Sequence, residues 1–138
     1  MFEPITIPFG AVMLFNVVKL KEGVTPEDVE LAIGEMCNVV KNTYGNDEGG
    51  FIAGQVYRYS GFVSAEGTIG DAPQDNATVA KIKQGELAIV TFWKSFDQHE
   101  KSHADKIFNE KFGKLVEFCD ETYELGYQML WQGVPEAD

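Results

Sequence analysis

The stretch ELAIVTFWKSFDQHEKSH (86–103) runs from a strand directly into a helix and decides the fold class. Its first part, ELAIVTFW (86–93), is rich in the β-branched and aromatic side chains that favour strands. Ser95 then opens a helix, and Gln98 three residues later completes a capping box. A clear strand followed at once by a helix predicts a domain that is built of alternating strands and helices.

The same order of elements occurs earlier in the chain. VMLFNVVKL (12–20) predicts a strand. Thr25 and Pro26 are typical of a helix N-terminus, and apolar residues then recur at intervals of three and four until YGNDEGG (44–50) ends the helix. FIAGQVYRYSGF (51–62) predicts the next strand.

The segments beyond these elements complete the pattern. Residues 64–76 are rich in turn-forming residues and predict a surface loop. The apolar positions of the second helix change direction, which predicts a break near residues 109–113, and GYQMLWQG (126–133) predicts the last strand. The order is β-α-β, loop, β-α-β, and we expect one ferredoxin-like βαββαβ domain of the α+β class over residues 1–138.

This arrangement leaves one face of the predicted sheet without helices. Both helices cover the same face, so the opposite face, rich in Phe and Val, needs another cover. A second copy of the chain is a common cover for such a face. We therefore expect a homodimer or a larger homo-oligomer, in which two sheets form a dimeric α/β barrel.

Charge and composition argue against several classes of partner. The formal net charge is −11, from 22 acidic and 11 basic residues, so we expect neither nucleic acid nor a membrane as a partner. No apolar run approaches the roughly 20 residues that span a bilayer. The N-terminal stretch MFEPITIPFG lacks the basic region of a signal peptide. We expect a cytoplasmic protein that acts on a small molecule.

HEKSH (99–103), within the second helix, is a candidate metal site. His99 and His103 are the only histidines in the chain, and a spacing of four places both rings on one helix face. Phe96 and Ile107 share that face, which favours rings that point into the protein. The alternative is a pair of solvated surface histidines, because short motifs often occur without function.

The H-E-x-x-H spacing is compatible with two kinds of metal site. Zinc peptidases use it, and a third ligand could then come from Glu117, Glu121 or Glu124. A small β-α-β unit leaves little room for a peptide cleft, so zinc is the less favoured metal. Two histidines with one carboxylate are also the ligands of non-haem Fe(II) oxygenases. Glu100 lies on a different helix face, so the third ligand should come from elsewhere.

Three segments carry a resemblance to a known family. TFWKSFDQHEKSH (91–103) resembles the iron-binding stretch of the sulfur oxygenase reductases. GEMCNVVKNTYGNDEGGFIAGQ (34–55) and QMLWQGVPE (128–136) are similar to two further segments of that family. The resemblance implies that His99 and His103 bind a mononuclear non-haem iron. It also implies oxygenation and disproportionation of elemental sulfur without an external cofactor.

The same resemblance implies roles for two more residues. Glu136 is the nearest match to the third iron ligand, and Cys37 matches the cysteine that carries sulfur beside the iron. The family's chains contain two ferredoxin-like halves, of which this sequence covers the first. From the residues alone, the favoured interpretation is a solvated acid near the chain end for Glu136 and a buried small apolar residue for Cys37, with metal ligand and reactive thiol as the alternatives.

A wider resemblance covers nearly the whole chain. The order of elements is similar to the dimeric α/β barrel superfamily, which includes antibiotic-biosynthesis-type monooxygenases and haem-degrading enzymes. This resemblance implies an alternative function, that of a metal-free or haem-using monooxygenase. A non-catalytic binding or assembly module is the third possibility. Cys119, Trp93 and Trp131 are expected to be packing residues.

Overall fold

The computed structural model describes residues 4–70 and 86–137. In chain order, the strands in these ranges are β1 (Val12–Leu20), β2 (Phe51–Arg58), β3 (Phe62–Val63), β4 (Ile69–Gly70), β5 (Leu87–Trp93) and β6 (Cys119–Gln128). The helices are α1 (Pro26–Tyr44), α2 (Phe96–His103) and α3 (Lys106–Val116). None of these helices is both long enough and apolar enough to cross a membrane.

The main sheet has four strands in the order β2-β5-β1-β6, and every neighbouring pair is antiparallel. With α1 between β1 and β2, and α2 and α3 between β5 and β6, the order is that of a ferredoxin-like domain. The predicted α+β class and the βαββαβ order are confirmed. The short strands β3 and β4 pair only with each other, as a separate hairpin.

Helix α1 forms where the sequence predicted it. The backbone N–H of Thr25 donates to the Asp28 carboxylate over 2.8 Å, which supplies one of the partners that a helix N-terminus lacks. The buried residues of α1 recur every three or four positions: Val29, Ile33, Met36, Val40 and Tyr44. This stripe packs α1 onto one face of the sheet.

The core consists of two apolar clusters, and each includes residues of β1. Val18 and Leu20 belong to one cluster, together with residues of α1, β5, α3 and β6. Val12 and Leu14 belong to the other, which contains Trp93. Side chains alternate along a strand, so these four residues share the helix-facing side of β1 with the residue at position 16, which is an asparagine. The two clusters are therefore separated along β1 by a polar side chain.

The opposite side of the sheet carries mainly apolar side chains and faces away from the helices. The strand registers bring them together: Met13, Phe15 and Val17 of β1, Ala88, Val90 and Phe92 of β5, and Tyr123, Leu125 and Tyr127 of β6. We call these nine residues the open sheet face. Leu125 and Tyr127 remain more than two-fifths exposed. The sheet thus has the apolar face without helices that the sequence predicted.

The helix break lies earlier than predicted. The sequence placed it near residues 109–113, but α2 ends at His103 and α3 begins at Lys106. The Asp105 carboxylate accepts a hydrogen bond from the backbone N–H of Ile107 over 3.0 Å. Aspartate at this position caps a helix start, so the chain turns at Asp105 and no break occurs at 109–113.

Three predicted element boundaries were also wrong. The second strand ends at Arg58 rather than at residue 62. The last strand is Cys119–Gln128 rather than 126–133, because β6 pairs with β1 along nearly the whole length of both strands. Residues 129–137 form no regular structure. In the predicted loop at 64–76, Ile69–Gly70 pairs with the preceding strand β3, and residues 71–76 lie outside the described ranges.

Candidate metal site

Helix α2 is fixed at its first turn by side chains that bind backbone groups. The Ser95 hydroxyl accepts a hydrogen bond from the backbone N–H of Gln98 over 3.2 Å. The Gln98 amide in turn donates to the carbonyl oxygens of Asp47 and Glu48, over 2.9 and 3.0 Å. These bonds anchor α2 to the loop that follows α1, which fixes the direction in which its two histidines point.

The two histidine rings lie in a row of aromatic side chains. The His99 ring meets Trp93 edge-on with 5.2 Å between ring centroids, and His103 lies 4.6 Å from Phe108. His99 is only 7% exposed, and His103 is half-buried. The predicted inward orientation therefore holds for His99, and the pair is not a solvated surface pair.

A carboxylate from β6 completes the cluster. The Nε2 atoms of His99 and His103 are 2.9 Å apart. Glu124 Oε1 lies 3.2 Å from the Nε2 of His99 and 3.6 Å from that of His103. Within the described ranges, these three residues are the one group of histidine, cysteine and acidic side chains close enough together to bind a metal ion.

The separations between these three atoms fit a metal ion. Two ligand atoms that each lie about 2.1 Å from an ion are about 3.0 Å apart at right angles and about 3.4 Å apart at the tetrahedral angle. The observed distances of 2.9, 3.2 and 3.6 Å span this range. Two imidazole nitrogens and one carboxylate oxygen are also suitable donors for iron or zinc.

The charges of the cluster favour an ionised carboxylate beside a neutral imidazole. Burial alone would raise the pKa of Glu124, but hydrogen bonds from His99 and Asn16, together with attraction to both imidazoles, outweigh it and lower the pKa. Burial, aided by the neighbouring His99, lowers the pKa of His103, and Glu124 opposes this only in part. A metal ligand must be deprotonated, so both shifts prepare the site for a cation.

The carboxylate in this cluster is not the one that the family resemblance implied. Glu136 is exposed, lies in the segment after β6, and is not part of the cluster. That segment contacts the start of the chain, where Gln132 donates to the carbonyl oxygen of Ile7 over 2.6 Å.

Trp131, expected to be a packing residue, is 81% exposed. Glu100 is exposed as well and lies outside the cluster, as its position on α2 predicted.

The two cysteines belong to the core rather than to the cluster. Cys37 is partly buried and packs against the apolar cluster of Val18 and Leu20, and burial raises the pKa of its thiol. Cys119 is buried, as expected, and its thiol donates to the Leu115 carbonyl oxygen over 3.2 Å. Cys119 is thus a core residue, whereas Cys37 lies at the edge of the core and outside the cluster.

Only a weak signal in the sequence points to the residues that complete the site. Glu124 is one of three acids near the end of the chain that could supply a zinc ligand, and no local feature distinguishes it from Glu117 and Glu121. Alternating side chains in residues 119–128 place Glu124 on the helix-facing side of β6. The predicted last strand starts at residue 126 and therefore does not include Glu124. The one signal for Asn16 is that it interrupts the apolar VMLFNVVKL stretch.

Comparison with known proteins identifies the fold. No family model and no curated protein matches the sequence. The solved structure of SnoaB, a cofactor-independent oxygenase from Streptomyces nogalater, matches with a TM-score of 0.60 at 12% identity, over 92% of this chain and 99% of that one. The hydroxynitrile lyase of Passiflora edulis matches with a TM-score of 0.60 at 9% identity, over 92% and 100%.

A third match is a protein with a ferredoxin-like fold. It is a dimeric ferredoxin-like protein of unknown function from Thermobifida fusca, with a TM-score of 0.56 at 9% identity, over 94% of this chain and 100% of that one. The fold of this chain is ferredoxin-like. The wider of the two resemblances is thus supported at the level of fold, whereas none of these three structures is a sulfur oxygenase reductase.

Proposed function

We propose that the chain is a mononuclear non-haem iron protein of the oxygenase type, with His99, His103 and Glu124 as its protein ligands. The observation that carries this proposal is the convergence of two Nε2 atoms and one carboxylate oxygen within 3.6 Å of one another. Two histidines and one carboxylate are typical ligands of Fe(II) oxygenases. The bound ion would supply a Lewis acid with coordination positions for substrate and dioxygen.

The side chains around the cluster suit this role. The low pKa of Glu124 keeps a negative charge beside the metal position, which offsets part of the charge of a divalent cation. The lowered pKa of His103 favours the neutral imidazole, which is the form that binds a metal ion. Trp93 packs against the His99 ring and Phe108 against the His103 ring, so apolar side chains border the cluster where it adjoins the core.

Sulfur chemistry is the more specific form of this proposal. The resemblance to the sulfur oxygenase reductases makes elemental sulfur the first substrate to assay and Cys37 the candidate sulfur carrier. The high pKa of this partly buried thiol opposes such a role, since the thiolate is the nucleophile. Sulfur turnover that is lost in Cys37→Ser, with metal content unchanged, would support the more specific form.

A metal-free oxygenase is the second candidate. SnoaB, which shares the fold, is a cofactor-independent oxygenase, so the fold accommodates oxygen chemistry without a bound metal. In that case His99 and Glu124 would serve as a base and its positioning carboxylate, at their separation of 3.2 Å. A binding or assembly module without catalysis is the third candidate.

Self-association belongs to the same proposal. The Thermobifida fusca protein of this fold is dimeric, and the open sheet face presents the apolar surface that a second copy would cover. We propose a homodimer in the cytoplasm, without nucleic acid or membrane as a partner. The net charge of −11 supports the last point.

The test of the metal site is elemental analysis of anaerobically purified protein, followed by Fe(II) titration. Near-stoichiometric iron is expected in the wild type, and loss of iron is expected in the His99→Ala/His103→Ala double variant. Comparison of Glu124→Ala with Glu136→Ala decides which carboxylate is the ligand: we expect at least a hundredfold weaker binding in the first variant and no change in the second.

Glu100→Gln is the matched control, because Glu100 lies on the same helix and is exposed. We expect it to leave iron binding unchanged. Zinc in place of iron, with peptide hydrolysis lost in Glu100→Gln, would replace the proposal by the peptidase interpretation. Absence of any bound metal after incubation with Fe(II) would refute the iron proposal and favour the metal-free oxygenase.

A further inference from the structure

Asn16 is an unusual residue for its place in the sheet. It lies on the helix-facing side of β1, between Leu14 and Val18, which are both buried. A polar side chain in such a row destabilises the fold unless its donors and acceptors find partners. Its partners therefore indicate why an asparagine occupies this position.

The strand registers place Asn16 between two specific neighbours. It pairs with Ile89 of β5 on one side and with Glu124 of β6 on the other. Directly opposite residues of antiparallel strands have Cβ atoms about 5 Å apart, within reach of a short side chain. The Asn16 side chain thus stands next to the carboxylate of the metal cluster.

Both neighbours offer an acceptor to the asparagine. The Asn16 Nδ2 group donates to the Ile89 carbonyl oxygen over 3.3 Å. Glu124 stands directly opposite on the other side, and hydrogen bonding from the Asn16 side chain is one of the causes that lower the pKa of Glu124. A carboxamide nitrogen carries two hydrogens, so it can serve two acceptors at once. The opposite orientation of the amide would place its oxygen against two acceptors, so these neighbours select a single orientation.

We propose that Asn16 is a positioning residue that holds the Glu124 carboxylate toward His99 and His103. This inference rests on the proposed function, because it concerns the carboxylate of that site. The asparagine stands beside Glu124 from β1, while the two imidazoles approach the carboxylate from α2. The carboxylate is therefore fixed from two sides, and it needs no rearrangement when a cation enters.

A neutral donor suits this position better than a charged one. A lysine or arginine beside Glu124 would form an ion pair with it and compete with the metal ion for its charge. An apolar residue would leave the carboxylate partly buried with one partner fewer. An amide orients the carboxylate and leaves its full charge available, so the side-chain chemistry of Asn16 matches the requirement of a metal ligand.

The test is a double-mutant cycle on Fe(II) affinity with Asn16→Leu and Glu124→Ala. We expect Asn16→Leu alone to weaken Fe(II) binding 10- to 100-fold. In the Glu124→Ala background, the same substitution should have almost no further effect, since Asn16 acts through Glu124. Asn16→Thr, which retains a hydroxyl donor, should recover part of the lost affinity.

Controls separate positioning from folding. Asn109→Leu makes the same chemical change at an exposed site on α3 and should leave the affinity unchanged. Leucine at position 16 continues the apolar row of β1, so we expect Asn16→Leu to fold, with thermal unfolding as the check. An equal loss of affinity with and without Glu124 would overturn the inference, because the effect of Asn16 would then be structural.

One further measurement does not depend on the metal. In the wild-type metal-free protein, the Asn16 side-chain amide protons should show slow exchange with solvent in NMR spectra, and exchange should accelerate in Glu124→Ala. Slow exchange in both proteins, or rapid exchange in both, would refute the Asn16–Glu124 contact itself. If the contact is present but the wild type binds no Fe(II), the proposed function fails, and with it the positioning role for a metal ligand.

Discussion

The contact between α2 and β6 can be tested by a single added methyl group at Gly126. This glycine lies opposite Leu14 on β1, and the Phe96 ring packs over it. A Cβ atom at position 126 would lie 2.9 Å from Phe96 Cε1, 3.4 Å from Cζ and 3.6 Å from Cδ1. Carbon atoms pack best about 3.5–4.0 Å apart, so Gly126→Ala must displace the Phe96 ring.

The expected cost follows from two opposing effects. Overpacking a core contact destabilises a protein by about 1–3 kcal/mol. Replacement of glycine by alanine stabilises it by about 0.4–1 kcal/mol, because the unfolded chain loses freedom. We expect Gly126→Ala to lower the free energy of unfolding by about 1–2 kcal/mol, and the Tm by on the order of 5 °C.

The same substitution should also weaken the metal site. Phe96 is the first residue of α2, and His99 lies three residues further along that helix. The Nε2 atom of His99 lies 3.2 Å from Glu124 Oε1, and displacement of Phe96 should move these two atoms apart. Metal sites tolerate only about 0.5 Å of displacement of their ligands. We therefore expect roughly tenfold weaker Fe(II) binding.

Gly113→Ala is the matched control for this experiment. Gly113 lies within α3, and an added Cβ would meet no atom within 4 Å. Alanine is the better helix former by about 1 kcal/mol, so this variant should be more stable than the wild type. Thermal and denaturant unfolding of both variants provide the measurement. If Gly126→Ala proves as stable as Gly113→Ala, the packing of α2 on β6 described here is incorrect.

Three further predictions concern pH, thiols and assembly. Burial lowers the pKa of His103 from its ordinary 6.5, so below about pH 6.5 the unfolded chain binds a proton that the folded chain lacks. The free energy of unfolding of the metal-free protein should therefore fall as the pH decreases through this range, and less steeply in His103→Gln. Because burial raises the pKa of both Cys37 and Cys119, their thiols should react more slowly with an aromatic disulfide at pH 7 than they do in guanidinium chloride. Tyr127→Lys places a charge on the open sheet face and should convert a dimer into monomers in sedimentation experiments, whereas a wild-type monomer would contradict the proposed assembly.

The local signals in the sequence were sufficient for the element order. Thr25 and Asp28 begin α1, Ser95 begins α2, and the apolar runs of β1 and β5 are dense enough to identify them as strands. Such signals depend on neighbours within four residues and can be read directly from the chain. Asp105 is a signal of the same kind, because an aspartate that caps a helix start places the break at Asp105, ahead of the change in the apolar pattern at 109–113.

The histidine pair was predictable for the same reason. A spacing of four in a helix places His99 and His103 on one face, whatever the rest of the fold does. The sequence could also assign Cys119 to the core, since free cysteine is commonly buried. Each of these inferences needs only local geometry and general preferences.

The third member of the cluster required the tertiary structure. Glu124 reaches the histidines because β6 pairs with β1 in a register that places Glu124 opposite Asn16, on the side of the sheet that α2 covers. A shift of one residue in that register would turn Glu124 to the open sheet face. Many acidic residues of the chain could serve as the third ligand, and no local rule distinguishes them. The sequence alone therefore determined the elements and the histidine pair, whereas only the pairing of strands distant in the chain determined which carboxylate joins them.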